Sequence, residues 1–172
     1  MTQSVSAGVL LAAGLAVGCS PTFNWREVRV EPTPLTATMP CKPDKATREV
    51  PMAGRTVELT ALSCEAGGAT FALMFADIGE SARQGEVLAQ WNIATLANLR
   101  SAGGQAIAFR PPGALALPQS VQVVAVGQRH GRNIESHAAY FAQGSRVYQA
   151  VIYAGQLPPE AVDGFFSGLR FQ

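Results

Sequence analysis

Large apolar residues alternate with smaller or polar ones along several short stretches of this 172-residue chain. A period of two is typical of β-strands that bury one face. In residues 70–77, Phe71, Leu73 and Phe75 alternate with smaller residues, and we predict that this apolar face packs against a helix layer. The same reasoning predicts strands at residues 25–30, 35–39, 48–50, 56–64, 121–128, 133–142 and 146–154.

A longer stretch has the spacing of a helix instead. Residues 80–102 contain no proline, and Leu88, Trp91 and Leu99 recur at intervals that place them on one helical face. We predict a long helix there, with Trp91 in the core and Gly103-Gly104 at its C-terminal end, because glycine readily takes the left-handed conformation of a helix cap.

Prolines divide the rest of the chain. Several of them make residues 109–119 an irregular connection, and another pair begins a short helix at residues 158–166, where the first helical position tolerates proline. The remaining connections are short, which favours antiparallel pairing of successive strands. The predicted fold class is α+β: one domain over residues 25–172, with a single antiparallel β-sheet covered by one long helix and one short C-terminal helix.

Two of the three cysteines, Cys41 and Cys64, flank a predicted hairpin that turns at Ala53-Gly54. Its register places Cys41 opposite Ala66, within about two positions of Cys64, so we predict a structural disulfide worth roughly 3 kcal/mol in the chain-entropy model. Two inert buried thiols, or redox or metal chemistry, are the alternatives.

The N-terminus carries an apolar run, Ala7 to Gly18, that is too short to span a bilayer as a helix. It ends in Leu15-Ala16-Val17-Gly18-Cys19, which resembles the lipobox of bacterial lipoproteins. The resemblance implies a signal peptide at residues 1–18, acylation of Cys19 and a tether at residues 19–24. Ser20 after the cysteine favours the outer membrane, facing the periplasm. An ordinary cleaved signal peptide and a cytoplasmic protein with an apolar N-terminal helix are the alternatives.

Three stretches together resemble the PsbP-like superfamily: residues 35–40, residues 70–77 and residues 148–171. The last is the most specific, because Phe165-Phe166-Ser167-Gly168-Leu169-Arg170-Phe171 is similar to the FFxSLRL ending of those domains. The resemblance implies an α/β/α sandwich. It also implies a binding, assembly or scaffold role without shared catalytic residues.

Charge and motif content give little sign of catalysis. The 13 basic and 12 acidic residues are interspersed, so we predict no nucleic-acid partner. Two histidines and two cysteines are too few for a usual transition-metal site, and no phosphate loop or GxSxG motif occurs, so we predict no metal and no cofactor. His137, with Glu135 on the same strand face, is the only candidate for a hydrolase base.

Arg129, His130 and Arg132 form the best candidate binding cluster, with His137 as a further candidate. Arg146 is expected to lie far from them, and ordinary charges that keep a sheet edge soluble are the alternative interpretation. We predict a membrane-anchored cell-envelope lipoprotein that is not an enzyme and that binds an envelope protein or serves in assembly. A carrier of a hydrophobic ligand held between sheet and helix, and a hydrolase that uses His137, are the alternatives.

Overall fold

The computed structural model describes residues 22–79 and 81–172, which form ten strands, two α-helices and one short 3-10 helix. The elements in chain order are β1 (Arg26–Arg29), β2 (Leu35–Met39), β3 (Asp44–Met52), β4 (Arg55–Ala66), β5 (Ala69–Asp77), the 3-10 helix (Ser81–Arg83), α1 (Gln84–Asn98), β6 (Gly104–Ala108), β7 (Val121–Arg129), β8 (Arg132–Gln143), β9 (Arg146–Ala154), α2 (Pro159–Ser167) and β10 (Arg170–Phe171).

The strands form two antiparallel sheets. The large sheet has seven strands in the order β3-β4-β5-β9-β8-β7-β6, and the small sheet has three in the order β1-β2-β10. The prediction of a single sheet covered by a long and a short helix, as in an α/β/α sandwich, is therefore wrong: the described residues are mostly β, with 51% strand and 17% helix. The error arises because β2 pairs with the C-terminal β10, Leu35 opposite Phe171, a contact that local periodicity does not reveal.

Each face of the large sheet has its own cover. The face that we call the aromatic face carries Phe71, Phe141 and Tyr148, and the small sheet and α2 pack on it. The opposite face, the α1 face, carries smaller side chains such as Ala72 and Val151, and α1 packs on it. The prediction for residues 70–77 needs correcting in this respect, because Phe71, Leu73 and Phe75 face a second sheet as well as α2.

The locally connected parts of the fold follow the predictions. The β3–β4 hairpin turns at Ala53-Gly54, with φ of 57° and 78°, and β7, β8 and β9 form the predicted meander. The disulfide between Cys41 and Cys64 is confirmed, with a Cα–Cα distance of 6.0 Å. Because Cys41 follows β2 and Cys64 lies in β4, this bond joins the small sheet to the large one.

Helix α1 is shorter than predicted and ends differently. Arg100, not a glycine, takes the left-handed conformation after the helix (φ 50°), and the N–H of Ser101 donates to the carbonyl of Leu96 at 3.0 Å. Gly104 instead begins β6, a strand that the sequence pattern does not indicate. No helix among the described residues is long and apolar enough to cross a bilayer.

The N-terminal predictions fall mostly outside the described residues. These are the signal peptide at 1–18, the acylated Cys19 and the first part of the tether. Within the tether, Phe23 packs edge-on against the ring of Phe71 at 6.2 Å, and the N–H of Asn24 donates to the carbonyl of Pro40 at 2.8 Å. Phe23 and Asn24, which belong to the predicted tether, therefore contact the folded part.

Candidate functional site

A groove runs between α1 and the outer strands β3, β4 and β5 on the α1 face. Helix α1 packs over β7, β8 and β9. Gly127 fixes it there, because a side chain at this position would overlap the carbonyl oxygen of Leu99 at the helix end, and the N–H of Gln128 donates to that same oxygen at 2.6 Å. The helix covers the outer strands less fully, although Val87 and Leu88 share a buried cluster with Leu59 of β4. We call the space between these strands and the helix the α1 groove.

Small side chains form the floor of the α1 groove and so leave space between the sheet and α1. Ala61, Ser63 and Ala72 come from β4 and β5, where residues that share a face alternate with those that face the aromatic core. The groove has two connected parts of about 430 Å³ and about 320 Å³, which share Leu59 and Ala94 among their lining residues. This size lies in the range of sites for small ligands and side chains of a partner.

Aromatic side chains line the walls. Trp91 of α1 is half-buried and borders both parts of the groove, and Tyr153 of β9 borders the larger part. The prediction of Trp91 as a core residue is thus only partly right: it packs on the buried cluster of the α1 face and also faces the groove. The sequence could not separate these roles, since both place tryptophan on the apolar stripe of a helix.

In the part of the chain that the structure describes, the charged side chains that line the α1 groove are both arginines, Arg48 from β3 and Arg129 from β7. Among the described residues, neither forms an ion pair with a carboxylate. The guanidinium of Arg129 lies 4.4 Å from the centre of the Tyr153 ring, a cation–π contact. Burial raises the pKa of the Tyr153 hydroxyl while Arg129 lowers it, so the phenol stays neutral near pH 7. The groove therefore offers positive charge and flat apolar surface together.

A buried polar network holds the helix on the floor of the groove. The side chain of Gln149, 1% exposed, donates to the hydroxyl of Thr95 on α1 at 2.8 Å and to that of Tyr140 at 3.0 Å. The Thr95 hydroxyl donates in turn to the carbonyl of Trp91 at 2.9 Å. Burial raises the pKa of Tyr140 to about 12, so its hydroxyl stays protonated. The network fixes the position of Trp91 in the groove wall.

The predicted binding cluster lies at the β7–β8 hairpin, and only one of its members lines the α1 groove. Arg129 does so, while His130 stands in the exposed turn with φ of 51°. Arg132 lies opposite Arg129 in the ladder and outside the groove lining. Arg146 is at the other end of β8, as predicted, and forms an ion pair with Asp77 at 3.7 Å.

His137 is not part of this site, because it points to the opposite face of the large sheet. Its Nε2 lies 2.5 Å from a carboxylate oxygen of Glu135, the neighbour that the sequence indicates. Its cross-strand neighbours are Val124 and Ile152, which carry no nucleophile. The structure thus separates His137 from Arg129, His130 and Arg132.

Neither a metal-binding group among the described residues nor a known relative was found that would identify a function. Within residues 22–79 and 81–172, no three His, Cys, Asp or Glu side chains come close enough to hold a metal ion. No family model matches the chain, and no curated protein matches it.

Proposed function

We propose that this protein is a lipid-anchored protein of the bacterial cell envelope and that its folded part is a non-enzymatic binding module. In this proposal the α1 groove binds an acidic, partly apolar segment of an envelope protein. The observation that carries the proposal is the groove lining, in which Arg48 and Arg129 are the only charged groups among the described residues and Trp91 and Tyr153 provide flat apolar walls.

Charge complementarity favours carboxylates in the partner. An arginine presents planar donors that suit a carboxylate, and charge-assisted hydrogen bonds are stronger than neutral ones. Apolar side chains of the same segment would rest on Leu59 and Met74 in the floor and walls. A catalytic role has less support, because His130 stands in an exposed turn and His137 lies on the other face of the sheet.

The anchor is proposed from the lipobox-like residues that end at Cys19. Only residues 20–22 separate this cysteine from Phe23, which packs against Phe71. An extended chain spans about 3.5 Å per residue, so this link would hold the fold within roughly 15 Å of the lipid. The anchor is tested by the intact mass of protein purified from membranes. Acylated residues 19–172 support it, and an unmodified chain contradicts it.

The same groove suits a second candidate, a carrier of an anionic amphiphile, because it lies between helix and sheet and has Leu59 and Met74 in its lining. The two candidates differ in what they bind. A peptide partner needs several contacts along the groove, whereas an amphiphile needs one cation for its head group and an apolar floor for its chain.

Binding of defined probes tests both candidates. The probes are a synthetic peptide of alternating glutamate and leucine, the same peptide with glutamine in place of glutamate, and a fatty-acid anion. Calorimetry on the full chain should show that the acidic peptide binds and its glutamine counterpart binds at least about tenfold more weakly. Stronger binding of the fatty acid would favour the carrier.

Arginine variants decide whether the α1 groove is the site. Arg48→Gln and Arg129→Gln should each weaken binding of the acidic peptide about tenfold. The matched control is Arg132→Gln, which removes the same charge from the residue opposite Arg129 but outside the groove lining. Equal loss from all three variants, or no loss from the first two, would overturn the assignment of the groove.

A further inference from the structure

The two edges of the large sheet differ in how well they are protected. Strand β3 carries the charged residues Asp44, Lys45, Arg48 and Glu49 and also Pro51, features that discourage pairing with another strand. Strand β6, at the opposite edge, reads Gly104-Gln105-Ala106-Ile107-Ala108 and carries neither charge nor proline. All five of its residues are exposed, and Ile107 is 63% exposed. An uncharged and exposed strand of this kind is a template for another strand.

The direction of the free backbone groups of β6 follows from the ladder. The N–H of Phe109 donates to the carbonyl of Ser120 at 3.0 Å, in line with the β6–β7 register. Hydrogen-bonded pairs alternate along an antiparallel ladder, so Ile107 and Gln105 also point their backbone groups toward β7. Gly104, Ala106 and Ala108 therefore direct their N–H and C=O groups away from the sheet.

We propose that β6 pairs with β6 of a second copy of this chain, antiparallel and centred on Ala106, to form a two-fold dimer with one continuous fourteen-stranded sheet. In this register Ala106 lies opposite its own copy and Gly104 lies opposite Ala108. Each of the three residues whose N–H and C=O groups point outward thus lies opposite a residue of the second copy whose backbone groups also point outward. Because β6 is uncharged, no like charges meet along the paired strands, and the contact closes on itself.

The side chains at the junction also fit. Gln105 lies opposite Ile107 of the other copy, and the two Ile107 side chains become diagonal neighbours on the same face, close enough for contact. Small residues occupy the other face at Gly104, Ala106 and Ala108, so nothing there prevents the strands from approaching. Ile107, the one large apolar side chain of β6, thereby gains an apolar neighbour.

The symmetry has a consequence for the rest of the molecule. Antiparallel neighbours place opposed side chains on the same face, so the two-fold axis is perpendicular to the large sheet. Both α1 helices then lie on one side, and both small sheets lie on the other. Phe23, packed on Phe71 of the aromatic face, lies on the small-sheet side in each copy. Two chains that are anchored at their N-termini could then attach to one membrane surface.

Cysteine cross-linking tests the register in the full chain with Cys19→Ala, so that no third thiol competes. Ala106→Cys should give a disulfide-linked dimer, because opposed residues of a hydrogen-bonded pair lie about 5.5 Å apart, within disulfide reach. Ala108→Cys is the matched control. Its two copies would lie four residues apart along neighbouring strands, about 13 Å, and should not cross-link. Equal cross-linking of both variants, or none in either, would overturn the proposal.

Sedimentation over a range of concentrations tests the dimer without cysteines. Ile107→Lys should weaken self-association about tenfold or more, because symmetry places two lysines beside each other at the junction. Val126→Lys is the matched control, since Val126 is 64% exposed on the same face but lies in β7, beyond the residues that pair with β6 and outside the proposed β6–β6 contact. A monomer at all concentrations, or equal effects of the two lysines, rejects the dimer. A failure here leaves the α1 groove untouched, because its lining does not include β6.

Discussion

The two faces of the large sheet use the same strands in different ways. On the aromatic face, rings of the large sheet contact both covering layers: the ring centroids of Tyr148 and Phe171 of the small sheet lie 5.2 Å apart, and those of Phe71 and Phe165 of α2 lie 5.4 Å apart. On the α1 face, alanine and valine predominate, and one helix covers only part of the surface. Alternation along each strand makes this division possible, because one set of positions can be filled for stability while the other leaves room for a groove.

The comparison predicts that stability depends mainly on the aromatic face. Phe71→Ala should lower the free energy of unfolding by about 3–5 kcal/mol, because Phe71 is fully buried and contacts the rings of Phe23, Trp25 and Phe165. Met74→Ala, three residues along the same strand but on the α1 face, is the matched control and should lower it by less than half as much. Chemical denaturation measures both, and equal losses would contradict the division between the faces.

The disulfide should have the next largest effect on stability, because it joins the small sheet, which covers the aromatic face, to the large sheet. A double substitution of Cys41 and Cys64 by alanine should lower the free energy of unfolding by about 3 kcal/mol, as expected for a closed loop with a sequence separation of 23. Reduction of the unmodified protein should give the same loss, whereas Cys19→Ala should leave stability unchanged. A reduced protein as stable as the oxidised one would show that the small sheet is held by packing alone.

The sequence predicts the parts of this fold that are local. The β3–β4 hairpin and the β7–β8–β9 meander follow from alternation and glycine-containing turns, and the cysteine pair follows from the hairpin register. The small sheet does not, because β10 joins β2 across most of the chain. Periodicity describes the neighbours of a residue along the chain, and it contains no information about pairing over such a distance.

The α1 groove was missed for a related reason. Its existence depends on where α1 lies across the sheet, and that position is set by the contact of Gly127 with Leu99. One signal was present in the sequence: Gln149 is a lone amide within the apolar strand at residues 146–154. A buried amide requires hydrogen-bond partners, but Thr95, which lies 54 residues away, could be identified only from the structure.

The smallest predicted effect on stability comes from the three tyrosines. Tyr148 lies on the aromatic face, and Tyr140 and Tyr153 lie on the α1 face. Burial raises the pKa of all three, that of Tyr140 to about 12. In the unfolded chain a tyrosine loses its proton near pH 10. The stabilisation from a raised pKa is therefore complete below about pH 10 and is lost as the pH rises toward 12.

Tyr140→Phe should reduce this loss of stability at alkaline pH more than Tyr148→Phe does, because the pKa of Tyr140 is raised further. At neutral pH the first variant should cost about 1 kcal/mol through its lost hydrogen bond to Gln149. Denaturation between pH 8 and about 12, with phenolate absorbance followed in parallel, measures both effects. If Tyr140 ionises near pH 10 in the folded protein, water reaches the Thr95–Gln149–Tyr140 network, and the floor of the α1 groove is more open than its packing indicates.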